Sequence, residues 1–330
     1  MSPRTDRLRR AASVLAKNRP VRTVFIGSGG FGLPAFRALA IHPAVDLVGA
    51  VTAPPRPAGR GLAPARTPIT YAATALGVAP VLTPARLREP DAVAEVLALE
   101  PSLIVLGDYG GIVPAQLLGL PHGALNLHPS LLPRHRGATP VAATILAGDE
   151  VTGVSLMRMD EGVDTGPLIA QARTEVRPDE TAPELGTRLS DVAAALLTTS
   201  LGPWLAGDLA ARPQAEAFAT VTRPLRREDG RLDPARSAVE LERQVRAYQP
   251  WPGSFLDTVR GRLTVWHAAA GPSEHEPAGR FGPRGLSTAD GMLVLQEVQP
   301  AGGRRMPWVE YLRGRSAILG SFATEPIRDA

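Results

Sequence analysis

The sequence predicts an α/β protein with a mostly parallel sheet covered by helices, followed by a small β-barrel. Three observations predict it. Apolar runs of strand length alternate with helical periodicity from Val21 to about residue 201, the pattern of strands buried on both faces. From residue 222 the period changes, and short segments alternate apolar and polar residues, which suits an antiparallel sheet. The length of 330 residues accommodates two domains of ~100–200 residues each.

Composition narrows the function classes. With 44% hydrophobic and 21% charged residues the chain is ordinary globular material. Gly and Pro together make 66 of 330 residues, below the ~25–30% that accompanies disorder. There is no cysteine, which excludes disulfides, thiol nucleophiles, Cys-ligated zinc and iron–sulfur clusters; no metal is expected. Lys17 is the only lysine among 36 basic residues, so a Schiff-base lysine is hard to place and no G-x-x-x-x-G-K-[ST] loop exists. The net charge of +4 fits an anionic partner without demonstrating one.

The longest apolar run, Val192 to Leu205, is interrupted by Thr198, Thr199 and Ser200 and falls short of the ~18 residues of a membrane helix. A soluble, cytoplasmic, monomeric protein with no membrane partner is expected. Residues 1–20 carry five arginines and Lys17 around a short apolar patch and read as a flexible basic extension; an organelle transit peptide or a nucleic-acid arm are alternatives.

In chain order, VRTVFIG (21–27) is a strand leading through a glycine turn into a helix with Phe36 and Leu39, and VDLVGAVT (45–52) is a second strand. A Pro/Gly/Arg loop (53–68), helical stretches at 69–77 and 90–99, and strands at 102–108 and 124–128 follow. Residues 137–149 read as a helix with Val141 and Ile145 on one face, 153–159 and 167–176 as strands, and 182–201 as a closing helix. The expected catalytic domain is 21–206 and the expected linker 207–221. A second domain spans 222–330, with a helix at 241–248, strands at 261–268 and 285–299, and a hairpin turn at Asp290-Gly291.

Gly27-Ser28-Gly29-Gly30-Phe31-Gly32 matches G-x-G-x-x-G in a strand–turn–helix context. A dinucleotide site also needs an acidic residue at the end of the second strand. Here that strand ends Thr52-Ala53-Pro54, and Asp46 lies at its other end. A plain tight turn is the better reading.

The chemistry concentrates elsewhere. Asn126 and His128 are two apart on a strand, so their side chains share one face at a separation of roughly 6.6–7 Å, beside the turn-rich segment 129–140. The loop Met159-Asp160-Glu161-Gly162-Val163-Asp164-Thr165-Gly166 belongs to the same kind of strand edge, where ligands bind in such sheets. Taken alone, each segment has a structural explanation: a hydrogen-bonded strand histidine and a solvated Asp/Gly turn. Together an amide, an imidazole and a carboxylate are what acyl transfer requires: an oxyanion donor, a proton carrier and a partner that sets the tautomer. No nucleophile is evident, since Ser130 lacks a G-x-S-x-G elbow. Direct transfer is expected.

The segments NLHPSLLPRHRGATP (126–140) and GVSLMRMDEGVDTG (153–166) resemble the signature of the folate-dependent formyltransferases. The resemblance continues through 54–61, 108–114, 245–257 and 293–306, and within the family it is strongest to members that act on methionyl initiator tRNA. It implies a Rossmann-like catalytic domain, an OB-like C-terminal domain that binds the tRNA backbone, 10-formyltetrahydrofolate as donor and the methionyl α-amine as acceptor. By the same resemblance Asn126 donates to the developing oxyanion, assisted by His128, while Asp164 accepts the amine's proton and orients His128. Ser130, Leu131, Leu132 and Pro133 match the folate-contacting segment, and Arg60 in the loop 53–68 would contact the acceptor arm.

The sequence departs from the pattern at two places. Leu62-Ala63-Pro64 stand where relatives carry lysines, and Asp108 stands where many have a small apolar residue near the pterin pocket. The nearest alternative is an N-formyltransferase of amino-sugar nucleotides, which shares the catalytic core; loop 53–68 and the second domain favour tRNA. An NAD(P)-dependent oxidoreductase fails for want of the ribose carboxylate, and the intact Asn126/His128/Asp164 set argues against a non-catalytic RNA-binding module.

Overall fold

The computed structural model describes residues 19–58 and 63–323. Arg60, Leu62 and nearly all of the basic extension lie outside them. Contacts divide the chain into two compact units. One contains the residues up to Pro140, Thr152–Thr174 and Gly186–Val221, and the other contains Val141–Val151, Glu175–Leu185 and the residues from Thr222.

The first unit is built on a seven-stranded sheet of β1 (Val21–Ile26), β2 (Val45–Val51), β3 (Val81–Leu82), β4 (Leu103–Leu106), β5 (Ala124–His128), β6 (Val151–Arg158) and β7 (Leu168–Glu175), in the order β7-β6-β5-β4-β1-β2-β3. The five strands β3, β2, β1, β4 and β5 run parallel, and β6 pairs antiparallel with β5. Composition explains the placement. The central strand LIVL is buried at every position, whereas the edge strand LIAQARTE alternates in exposure. One face is packed by Val24, Ile26, Val51, Ile104, Leu106 and Leu117.

Helices α1 (Leu33–Ala40), α2 (Pro68–Leu76), α3 (Pro90–Leu97), α4 (Ala115–Leu118), α5 (Pro140–Ala147) and α6 (Ala182–Ala206) complete the order up to residue 206. The limits of α2 are written in its residues: Thr67 caps the Thr70 amide, proline occupies the first turn, and Gly77 ends the helix at φ +71°. Residues 56–58 and 63–65 form a small antiparallel hairpin within the expected loop.

The glycine turn serves packing. A Cβ on Gly27 or Gly32 would lie 2.4 or 2.5 Å from the Gly107 carbonyl oxygen, and one on Gly29 would lie 1.7 Å from Asp108 Oδ2. The chain leaving β4 thus fills the space in front of the turn. The Ser28 N–H donates to the Asp108 carbonyl oxygen at 2.9 Å.

The second unit holds a five-stranded antiparallel sheet of β8 (Ser254–Thr258), β9 (Gly261–Gly271), β10 (Gly285–Ser287), β11 (Met292–Pro300) and β12 (Met306–Pro307), in the order β8-β9-β11-β10 with β12 pairing β11. Its core gathers Leu241 and Val245 of α7 (Ala238–Ala247), Leu263, Val265, Leu293 and Leu295 of the sheet, and Trp308 and Tyr311 of α8 (Trp308–Arg315). The Asp290-Gly291 turn joins β10 to β11, with Gly291 at φ +89°. A capping box between Ser237 and Glu240 starts α7. Among the described residues no helix is long and apolar enough to cross a membrane.

The segment 207–221, linker-like in composition, is fastened to the first unit. α6 runs on to Ala206, Arg212 exchanges two backbone hydrogen bonds with Leu168 at 2.7 and 2.8 Å, and the Thr220 N–H donates to the Pro133 carbonyl. Backbone pairing of this kind leaves no hydrophobic period for sequence reading to detect.

Candidate active site

β5 ends at the carboxyl edge of the sheet with Asn126 and His128 both buried. The pleat puts both polar side chains on one face and Leu125 and Leu127 on the other, and all four are buried. The loop after β6 brings Asp164 to the same face. Asn126 Nδ2 donates to Asp164 Oδ1 at 3.3 Å, the Gly137 N–H donates to Asp164 Oδ2 at 2.8 Å, and His128 Nδ1 lies 3.5 Å from Oδ2. Asp164 therefore contacts both of the strand residues singled out with it.

Hydrogen-bond logic assigns the protons. His128 Nε2 is 2.9 Å from the His135 carbonyl oxygen. A carbonyl only accepts, so Nε2 carries the hydrogen and Nδ1, facing Asp164, is the nitrogen that gains or loses a proton. Burial pushes the imidazole below its ordinary pKa, opposed by the charge of Asp164 and the bond to the His135 carbonyl, while the nearby His135 ring lowers it further. A neutral imidazole follows at physiological pH. Asn126 spends one amide hydrogen on Asp164, and its second makes no bond among the described residues. The edge therefore presents a free N–H donor beside a carboxylate–imidazole pair.

Asp164 has φ +54°, a left-handed conformation that is uncommon outside glycine and that Asp and Asn adopt more readily than other residues. Gln214 helps hold the turn by donating to the Asp164 and Gly166 carbonyl oxygens, both at 2.8 Å. Gly166 lets the loop close, since a Cβ there would lie 1.9 Å from the Arg158 carbonyl oxygen.

The segment Ser130–Pro133 passes beside this edge. Ser155, fully buried on β6, donates to the Ser130 carbonyl oxygen at 2.7 Å and accepts from the Leu132 N–H at 3.0 Å and from Gln171 Nε2 at 2.8 Å. Ser130 Oγ donates to the Arg134 carbonyl oxygen at 2.7 Å, which engages the hydroxyl in loop structure. Asp108, at φ +58°, nests its carboxylate against the glycine turn, where it accepts from the Phe31 N–H; desolvation there raises its pKa.

Sequence reasoning missed Ser155, Gln171 and Gln214. Each is an isolated polar residue whose partners, backbone and side chain alike, are remote in sequence, so no spacing reveals it. Among the described residues no group of three or more His, Asp or Glu side chains is arranged to hold a metal.

Comparison with known proteins places the chain in a family. The formyl transferase model matches residues 22–201, and the formyl transferase C-terminal domain model matches residues 224–316. The chain belongs to the formyl transferase family. Relatives in this family include the methionyl-tRNA formyltransferase of Thermus thermophilus, 44% identical over 306 residues that cover 91% of this chain and 98% of that protein. That of Myxococcus xanthus is 40% identical over 310 residues, covering 92% and 98%. Among solved structures, the N-formyltransferase of Helicobacter canadensis in complex with folinic acid and dTDP-3-aminofucose aligns with a TM-score of 0.61 at 14% identity, covering 87% of this chain and all of that one. HypX of Aquifex aeolicus with tetrahydrofolic acid shares the fold at the same TM-score and identity, over 94% of this chain and 50% of its own. The formyl transferase assignment agrees with the resemblance carried by segments 126–140 and 153–166.

Proposed function

We propose that this formyl transferase moves the formyl group of 10-formyltetrahydrofolate to the α-amino group of methionyl initiator tRNA. The observation that carries the proposal is the buried Asn126/His128/Asp164 edge, within a chain whose two parts both match methionyl-tRNA formyltransferases along nearly their whole length. The amino-sugar acceptor is the weaker reading, because its structural example shares 14% identity.

The donor supplies a one-carbon amide, and the residues present suit it: a neutral carbonyl oxygen needs an N–H donor, and Asn126 has one to give. As charge develops on that oxygen, Asn126 Nδ2–H stabilises it. Asp164, paired with His128 Nδ1, takes the proton that the attacking amine releases and returns it to the departing nitrogen. His128 shares the proton through Nδ1 while the His135 carbonyl holds its ring in place. Ser130, Leu131, Leu132 and Pro133, braced by Ser155, are the residues that would flank the folate.

For the acceptor, the second unit offers a cavity of about 730 Å³ lined by Arg227, Glu228, Arg231, Phe255, Arg262 and Ala301. The Arg262 and Arg231 guanidiniums lie 3.7 and 5.4 Å from the Phe255 ring centroid, and Arg305 lies 3.4 Å from that of Trp266. Phe255 is buried, and Arg231 and Arg262 both pair with Asp257; guanidiniums held in this way suit a phosphate backbone. Arg60 is assigned to the acceptor arm, and Arg60→Ala is expected to weaken the tRNA step more than folate binding. A transfer assay with methionyl initiator tRNA and an amino-sugar nucleotide as alternative acceptors tests the proposal.

A further inference from the structure

We infer that Gln214 is a positioning residue for the transfer, holding Asp164 in the left-handed conformation that aims its carboxylate at Asn126 and His128. For its activity readout the inference rests on the function proposed above; its structural readout does not.

Gln214 lies in the extended stretch before the 3-10 turn at 216–218 and is 8% exposed, while Arg212, Pro213, Ala215 and Glu216 face solvent. An amide side chain has two donor hydrogens and a two-lone-pair oxygen, and all four positions are engaged. Nε2 donates to the Asp164 and Gly166 carbonyl oxygens, both at 2.8 Å. Oε1 accepts from Arg136 Nε at 3.1 Å and Nη2 at 2.9 Å. Arg136 is itself buried and is gripped from the other side by Glu216, through Nη1 at 3.0 Å and Nη2 at 2.6 Å. The amide is thus oriented by a fixed guanidinium, and its donors set the peptide planes on both sides of the Asp164–Gly166 turn. Without them the turn loses the two bonds that fix the carbonyls of Asp164 and Gly166, and the Asp164 carboxylate shifts against the Gly137 N–H, Asn126 and His128.

The surrounding stretch does not depend on this side chain. Arg212 is held by Leu168, and Thr220 is held by Pro133, His135 and Arg136. Replacement of Gln214 is therefore expected to disturb the loop carrying Asp164 and leave the segment in place. The charged and titratable groups acting on the pair are His135 and Asp164 at His128, and Arg136 near Asp164 and Asp160.

Two variants separate positioning from packing. Gln214→Glu keeps the acceptor for Arg136 and removes both donors, while Gln214→Met keeps the bulk and removes every hydrogen bond. Both are expected to lower kcat by about 10- to 100-fold, with KM for folate and for tRNA changed by less than about threefold. In ¹H–¹⁵N spectra of the substrate-free protein, the His128 imidazole of Gln214→Met is expected to titrate at lower pH than in wild type, because the carboxylate that raises its pKa has moved away. Wild-type kcat in both variants, or an unmoved His128 titration, would overturn the inference. Should Gln214→Met not fold, wild-type kcat in Gln214→Glu overturns it alone. Should the wild type transfer no formyl group, the His128 titration still decides.

Discussion

At the scale of single residues the site rests on a division of hydrogen bonds. Asn126 gives one N–H to Asp164 and keeps one, and His128 has its Nε2–H committed to the His135 carbonyl, which leaves Nδ1 to face Asp164. Asn126→Ala and Asp164→Asn are each expected to lower kcat by about 10²–10⁴, the range for an oxyanion donor or a general base, with tRNA affinity retained in a filter-binding assay. The pH dependence has a definite sign. Burial lowers the His128 pKa, so the neutral, proton-accepting imidazole persists below its ordinary titration range and kcat falls only as the pH drops through that depressed value. Asp164 opposes the depression. Asp164→Asn is therefore expected to move the acid limb of the residual kcat profile to lower pH, whereas a shift to higher pH would contradict the pairing. For stability, protonation of the unfolded state exceeds that of the folded state below the ordinary imidazole pKa, so this group weakens the fold as pH falls through that window. Asn126, His128 and Asp164 were legible because strand alternation and loop carboxylates leave a pattern. Gln214 leaves none.

At the scale of elements the sequence carried what hydrophobic period and capping can encode. The strands 21–26, 45–51, 103–106 and 124–128 read directly as apolar runs, and α2 matches the helical stretch expected at 69–77, its Thr67 cap and Gly77 end being shown by the structure. The two-residue edge strand β3, the single turn of α4 and helix α8 are too short or too mixed to show a period. Helix α6 continues past the expected end at residue 201 to Ala206, with Pro203 within it. The glycine turn had the right residues for a different purpose, the close approach of Gly107 and Asp108. Because the Gly29 contact is to the Asp108 side chain, Gly29→Ala is expected to destabilise by about 1–3 kcal/mol in wild type and by much less in an Asp108→Ala background. Thermal unfolding of the four proteins checks this, and equal costs in both backgrounds would contradict it. On β6, Ser155→Ala leaves the Leu132 N–H without its acceptor and removes a donor from the Ser130 carbonyl, an expected loss of about 1–3 kcal/mol. Steady-state kinetics should show KM rising for folate more than for tRNA.

At the scale of the whole molecule, two units of different sheet architecture serve one proposed reaction. The sequence leads one to expect a change from helix–strand alternation to short alternating strands at residue 222, and contacts end the first unit at Val221. The assignment of 141–151 and 175–185 to the second unit was not visible, because contacts define it and no local signal marks it. The arginine–aromatic cavity of the second unit carries its own prediction. Arg231→Ala with Arg262→Ala is expected to leave folate KM unchanged, weaken tRNA binding and flatten its salt dependence by a slope of about 1 per lost phosphate contact. An unchanged slope would place the tRNA backbone elsewhere.

The most direct test of the central claim is formyl transfer from 10-formyltetrahydrofolate, measured side by side on methionyl initiator tRNA and an amino-sugar nucleotide, with wild type and His128→Ala. Transfer to the tRNA by wild type, lost or severely reduced in His128→Ala, is the predicted result. Transfer to the sugar alone, or equal transfer to tRNA by both proteins, would contradict it.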